Sequence, residues 1–209
     1  MTVSLALLVL NPPLDRLAAL VEYMRPVCAE TVIVVDDRTA PEACDVMTAW
    51  PGVQLVPFSW CDDFAEARNA ALPYCHGDWI LHLDPDEMPT AAMFDFIRTV
   101  DATPQPDVEW QGATYYGPRG YLFFTESFYD GVKAAEWEEH WHCRLFRRVA
   151  GRWYKPVHEQ VMIEGEPEDA TRGSGWLPKA PRGAFLIHSR MEDHTKDEQY
   201  AALAEASSA

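Results

Sequence analysis

Trp79-Ile80-Leu81-His82-Leu83-Asp84-Pro85-Asp86-Glu87 is the stretch on which the fold turns. A mostly apolar run ends abruptly in an acidic turn, the pattern of a buried strand that delivers polar groups to one end of a sheet. In open α/β sheets ligands gather beyond the carboxyl ends of the strands, so neighbouring strands and the residues that follow them carry the functional information.

Upstream, strand and helix patterns alternate. Val3 to Leu10 (VSLALLVL) is a nearly unbroken apolar run that stops at Asn11-Pro12-Pro13. Leu14, Leu17, Leu20, Val21 and Met24 then recur at helical spacing, with prolines acceptable in a first turn and Asn11 available as a cap. Thr31 to Val35 predicts a second strand, Pro41 to Trp50 a short helix and Val53 to Phe58 a third strand. Asp62 or Asp63 can cap the next helix, in which Phe64, Ala67, Ala71 and Leu72 share a face before Gly77 ends it. Trp79 to Leu83 is the fourth strand. This rhythm predicts an α/β fold with a Rossmann-like, mostly parallel central sheet and right-handed crossovers.

Beyond Val100 the segments become shorter and aromatic-rich, as in Ala113 to Tyr116 and Tyr121 to Phe124, which predicts a small mixed α/β subregion. One domain in two halves is expected, residues 1–100 and 101–209, with a helix-prone alanine-rich tail from Lys196 to Ala206.

The residues after the predicted strands are acidic: Asp36-Asp37-Arg38 after the second, Asp62-Asp63 beyond the third and Asp84-Pro85-Asp86-Glu87 after the fourth. Clustered carboxylates repel one another unless cations or hydrogen bonds occupy the site. Mg²⁺ or Mn²⁺ suits such a cluster, since one or two protein carboxylates suffice when a diphosphate supplies further oxygens. The plainer alternative has Asp84 capping its own turn, with Asp86 and Glu87 facing solvent.

The 209 residues carry 17 basic and 33 acidic side chains, a net charge of -16 that disfavours nucleic acid and anionic membranes as partners. Arg144, Arg147, Arg148, Arg152 and Lys155 form a local basic run that either meets one anionic ligand or is a solvated strand and turn. The five cysteines show no C-x-x-C spacing, which predicts reduced thiols and a cytoplasmic setting. Met1 to Leu10 is too short to span a bilayer and lacks the basic flank of a signal peptide.

Two segments at fixed spacing carry a resemblance. Asp62-Asp63-Phe64-Ala65-Glu66-Ala67-Arg68-Asn69-Ala70-Ala71-Leu72, followed by Gly77-Asp78-Trp79 through Glu87, resembles the core of family 2 glycosyltransferases of GT-A fold, with their DF-x-x-A-R-N and D-x-D-E motifs. Arg144-Leu145-Phe146-Arg147 and Val157-His158-Glu159 are similar to R-L-F-R and V-H-E elements of one branch of that family. The resemblance covers most of residues 3 to 190.

It implies a GT-A enzyme of hexosyltransferase type that moves a sugar from a nucleotide-diphosphate sugar, UDP-linked by expectation, to an acceptor hydroxyl with inversion, using Mn²⁺ or Mg²⁺. Residues 1–100 would bind the donor and 101–209 would form the acceptor side. Carried over residue by residue, Asp36 or Asp37 would receive the nucleotide base, Arg68 would lie near the diphosphate, and Asp84 would face the ribose or a metal-bound water. Asp86 would ligate the metal, and His188 would either complete its shell or simply close an edge strand. Glu159 is the first choice for the base that deprotonates the acceptor, with Glu138 and Glu139 competing; all three could equally be surface carboxylates.

Departures fall at the nucleotide end. Asn11-Pro12 stands where an Asn-Glu pair is common, and Asp36-Asp37-Arg38-Thr39-Ala40 replaces a D-x-G-S-x-D turn, which leaves base and sugar specificity open. The short stretch after His188 is expected to leave the acceptor side small, and the net charge favours a glycan, protein or small molecule as acceptor over nucleic acid. His140-Trp141-His142-Cys143 offers alternate ligands for zinc but no fourth at a usual spacing. Trp137, Trp141, Trp153, Tyr115 and Tyr116 read as core or as a platform for a sugar face. A catalytically silent sugar-nucleotide or glycan-binding module of the same fold is the alternative function.

Overall fold

The computed structural model describes residues 2–100, 108–110, 113–115, 119–129, 132–133, 141–149, 151–157, 159–163, 177–181 and 183–190. The expected alternation opens the chain: β1 (Val3–Val9), α1 (Leu14–Met24), β2 (Glu30–Asp36), α2 (Pro41–Thr48), β3 (Val53–Phe58), α3 (Phe64–Asn69), a 3₁₀ turn (Leu72–Tyr74) and β4 (Trp79–Leu83). There follow β5 (Glu87–Pro89), α4 (Ala91–Thr99), β6 (Val108–Trp110), β7 (Ala113–Tyr115), β8 (Gly120–Tyr129), β9 (Val132–Lys133), β10 (Trp141–Arg147), β11 (Gly151–Tyr154), β12 (Gln160–Ile163) and β13 (Phe185–Arg190).

Most of these strands share one sheet of order β3-β2-β1-β4-β10-β8-β13-β5, with β9 beside β8. The β3–β2, β2–β1, β1–β4 and β8–β13 pairings are parallel, while β4–β10, β10–β8 and β13–β5 are antiparallel. The sheet therefore runs across both expected halves of the chain, β4 of the first lying against β10 of the second.

Strand alternation divides the core. Leu5, Leu7, Ile33, Val35, Trp79 and Leu81 face α1, α2 and α4, whose Leu17, Leu20, Met47, Met93 and Ile97 are fully buried. Ala6, Val32, Val34, Ile80 and Phe146 face the other way, onto α3 and the hairpin β11–β12. With both faces covered, the largely apolar runs of β1, β2 and β4 are what burial demands.

Several local expectations are corrected. Pro13, not Asn11, occupies the N-cap of α1 and no side chain caps that helix. Asn11 has φ of 42° and turns its Oδ1 toward the start of α2, where it accepts from the Ala40 amide at 2.9 Å. Of the two candidates for the cap of α3, Asp63 fills the role by accepting from the Glu66 amide at 2.9 Å. Gly77 does not end that helix, which stops at Asn69. It allows β1 to pass close by: a Cβ there would lie 2.6 Å from the Ser4 nitrogen. The basic run is not one surface. Arg144 is buried, Arg147 stacks on Trp79 with its guanidinium carbon 4.2 Å from the ring centre, and Arg148 donates to the Gly77 carbonyl.

All five cysteines are free, and burial pushes the thiols of Cys28, Cys75 and Cys143 up to about 12. Of the suggested zinc ligands, His142 is exposed whereas Cys143 is buried, so the two do not share an environment. His140, Glu138, Glu139, Trp137, Tyr116 and the tail from Lys196 lie outside the described residues.

Candidate active site

The acidic turn after β4 closes on itself. The Glu87 amide donates to the Asp84 carbonyl at 3.0 Å, and Glu87 Oε2 accepts from the Asp84 amide at 2.9 Å. Pro85 takes the second position, where its fixed φ suits a tight turn. Glu87 then starts β5, and the β5–β13 register sets His188 opposite Glu87. His188 Nε2 consequently lies 3.0 Å from Asp86 Oδ2, while its Nδ1 is 3.4 Å from Ser127 Oγ on β8. The structure thus brings Asp86 and His188 together across 102 residues of chain.

A second group lies beside the first. Arg68 on α3 points Nη1 at Asp84 Oδ1, 3.0 Å away, and donates from Nε to Glu159 Oε1 at 2.8 Å. Its side chain is 6% exposed, and its guanidinium carbon sits 5.0 Å from the centre of the Trp153 ring. Arg144 pairs with Glu87 and lies 3.4 Å from Asp84 Oδ2. The two arginines pair with protein carboxylates, and Arg68 bridges Asp84 and Glu159.

Arg144 reaches this position because β10 bulges there. Its pairing with β8 shifts register between Cys143 and Leu145, so Arg144 is the extra residue and is re-aimed. Burial pushes the Glu87 carboxyl up to about 7 against the pull of Arg144. His82, on the α3 face of β4, is 1% exposed, and neither ring nitrogen has a hydrogen-bond partner among the described residues. Burial first, and the Arg68 charge second, hold its pKa well below the ordinary 6.5.

At the ends of β2 and β3 the carboxylates are differently placed. Asp36 is 3% exposed and accepts from the Arg38 amide at 2.9 Å and from Arg38 Nε at 2.8 Å; these bonds hold its carboxyl below the usual range. Arg38 lies over Trp60, 5.3 Å from the ring centre, and the Trp60 indole donates to Asp62 at 2.8 Å. Asp37 is exposed, and Asn11 lies against Thr39, 3.4 Å from its hydroxyl. Sequence reasoning placed Asp36 at this end but missed that Arg38 occupies it.

Reasoning from sequence also missed Arg144 as a partner of the acidic turn, Ser127 beside His188, and Trp153 under Arg68. Nothing in the residue order signals these, because each contact depends on strand register. Of the aromatic candidates, Trp153 is buried core and Trp141 is half-buried, with the Lys179 ammonium 4.4 Å from its ring centre.

A parallel sheet carrying an acidic turn at the end of its fourth strand invites comparison with known families. The sequence profile described as "Glycosyl transferase family 2" matches residues 14–151, well over half of the chain. The chain belongs to glycosyl transferase family 2. Its α/β architecture, with the parallel β3-β2-β1-β4 half continued by mixed strands, is the GT-A fold. A crystal structure of a mycobacterial protein aligns over 97% of this family 2 chain and 71% of its own, with a TM-score of 0.50 and 14% identity. Staphylococcus aureus TarS 1-349 in complex with UDP-GlcNAc aligns over 65% and 37%, with a TM-score of 0.45 and 14% identity. Glucosyl-3-phosphoglycerate synthase from Mycobacterium tuberculosis, in complex with Mn²⁺, UDP and glucosyl-3-phosphoglycerate, aligns over 62% and 44%, with a TM-score of 0.41 and 17% identity. Among curated proteins, a TPR repeat-containing protein of Synechococcus elongatus is 38% identical over 55 residues, 26% of this chain and 14% of that one. The chain thus spans a small part of that relative's length and about a third of the TarS chain. No helix among the described residues is long and apolar enough to cross a membrane.

Among the described residues no three His, Cys, Asp or Glu side chains gather as a self-sufficient metal cage. Asp86 and His188 do supply one carboxylate oxygen and one imidazole nitrogen at a shared point. That pair fits a divalent ion whose remaining ligands come from a substrate diphosphate and water.

Proposed function

We propose that this glycosyltransferase moves a sugar from a nucleotide-diphosphate sugar, UDP-linked, to an acceptor hydroxyl with inversion and with the aid of Mn²⁺ or Mg²⁺. The observation that carries the reading is the meeting of Asp86 and His188 beside the Arg68 bridge from Asp84 to Glu159. Family membership supports the reaction class. Residues 1–100 form the donor side in this reading and 101–209 the acceptor side.

Asp86 and His188 would hold the ion, which would supply positive charge to stabilise the departing nucleotide. Asp84 faces the ribose or a water near it, oriented by Arg68 and Arg144. The end of β2, with Asn11 nearby, receives the base. Asp37 is exposed and directly available, whereas Asp36 reaches the base only if Arg38 yields. Glu159 takes the proton from the acceptor hydroxyl, its carboxylate oriented by Arg68. An alcohol activated on the side away from the leaving nucleotide attacks the anomeric carbon directly, which inverts it.

The test mixes the protein with Mn²⁺ and a panel of nucleotide sugars and follows free nucleotide, with Asp86→Ala as control. Release that needs Asp86 supports the reading. Binding without release on any acceptor favours a silent binding module, and neither binding nor release by any nucleotide sugar overturns the transferase proposal.

A further inference from the structure

Asn69, the last residue of α3, takes no part in the site described above, yet its side chain reaches the hairpin β11–β12. Nδ2 donates to the Trp153 carbonyl at 2.9 Å, and Oδ1 accepts from the Trp153 amide at 2.8 Å. One planar amide satisfies both backbone polar groups of a single residue, as a neighbouring strand would, along the edge of β11. Aspartate has no donor for the carbonyl. Alanine has neither group.

The hairpin needs this contact because it forms a separate two-stranded sheet with no ladder to the large one among the described residues. Its pose rests on packing of Trp153, Val161 and Ile163 in the second core and on hydrogen bonds from α3. Those bonds come from the whole length of the helix. The Phe64 amide donates to the Pro156 carbonyl at 2.9 Å, Arg68 grips Glu159, and Asn69 holds Trp153. Phe64, Arg68 and Asn69 of Asp63-Phe64-Ala65-Glu66-Ala67-Arg68-Asn69 thus bind the segment that bears Val157 and Glu159.

We propose that Asn69 is a positioning residue that fixes the hairpin on α3 and thereby sets the reach of Glu159 toward the acidic turn. The proposal rests on Glu159 being the base. The residues assigned to the donor, Arg68 on α3 included, lie outside the hairpin, so a loosened hairpin spares donor binding while it misplaces the base. A misplacement of about 1 Å can lower a rate by roughly 100-fold.

The experiment compares wild type, Asn69→Ala, Asn69→Asp and Glu159→Gln by three measurements. These are amide hydrogen exchange over residues 151–163 with residues 3–9 and 79–83 as reference, affinity for UDP with Mn²⁺, and kcat with whichever donor the panel identifies. Asn69→Asp keeps the side-chain shape but sets a carboxylate against the Trp153 carbonyl, so it serves if the alanine variant folds poorly. Exchange in the hairpin should rise about tenfold or more in both Asn69 variants while the reference strands stay protected. The UDP dissociation constant should stay within about twofold while kcat falls roughly 10- to 100-fold.

Unchanged hairpin exchange in both variants overturns the proposal. So does a loosened hairpin with undiminished kcat when Glu159→Gln is inactive. If Glu159→Gln turns over like wild type, or no donor turns over at all, the reading of Glu159 has failed on its own account. Hydrogen exchange then decides the clamp: a released hairpin supports it and a protected one overturns it.

Discussion

Arg68 stands between Asp84 and Glu159, with Nη1 3.0 Å from the first and Nε 2.8 Å from the second. It joins α3, the end of β4 and the approach to β12 through one guanidinium. Removing it would take this partner from both carboxylates, leaving Asp84 with Arg144 at 3.4 Å and Glu159 with a side chain only 8% exposed.

Arg68→Ala should therefore destabilise the fold by about 3–5 kcal/mol, the usual cost of stripping one partner from a buried ion pair. Arg68→Lys should recover only part of this, because a single ammonium cannot hold both carboxylates in the fork geometry. Urea unfolding midpoints give the comparison. A loss under about 1 kcal/mol, the range of exposed pairs, would mean that the two carboxylates are well hydrated in solution.

Asp86→Asn and His188→Ala should each weaken Mn²⁺-dependent UDP binding by roughly tenfold or more and leave the urea midpoint little changed, since these side chains are 30% and 14% exposed. Calorimetric titration of UDP with and without Mn²⁺ measures it. Equal affinity in the variants would remove the pair from the metal reading.

His82 and Glu87 predict opposing pH dependences. The folded pKa of His82 lies well below 6.5, so under pH 6.5 the unfolded chain takes up a proton that the folded chain refuses; this contribution is complete above 6.5 and is lost as pH falls. Glu87 has a folded value of about 7 against an ordinary 4.5, so between these the folded chain keeps a proton that the unfolded chain has shed; stability from it is complete below 4.5 and is lost as pH rises to about 7. The two slopes partly cancel in the wild type. His82→Phe should expose stability that falls with rising pH, and Glu87→Gln should expose the reverse. Urea midpoints across this range test both, and profiles parallel to wild type would contradict the assignments.

Gly151→Ala should destabilise by about 1–3 kcal/mol, the usual cost of overpacking a core. A Cβ at this position would lie 2.2 Å from the Phe146 ring, against which β11 packs. Thermal unfolding measures it, and an unchanged midpoint would show that the ring has room to move.

The parallel half of the fold was legible because a strand buried on both faces must be apolar throughout, as Val3–Val9, Glu30–Asp36 and Trp79–Leu83 nearly are. The acidic turn was legible for the same reason, since a mostly apolar run makes Asp84 and Asp86 conspicuous. Pairings remote in sequence were not. Whether Glu159 meets Arg68, or Ser127 meets His188, depends on register and on hairpin docking, which hydrophobic pattern does not encode. The helix ends were misjudged where tertiary contacts overrode local propensity. Asn11 is a good cap by residue type, but its amide is taken up by the loop before α2.

The bulge at Arg144 makes β10 a length gauge. A bulge spends one residue without advancing the ladder, so the guanidinium aims at Asp84 and Glu87 only while that surplus residue is present. Deleting a single residue between Trp141 and Leu145 would straighten the strand and turn the charge away without altering any other member of the site. Asp84 and Glu87 would then lose a shared counter-charge together. Strand β10 should thus tolerate changes of apolar side chain far better than changes of length, the opposite of what is expected of a surface loop.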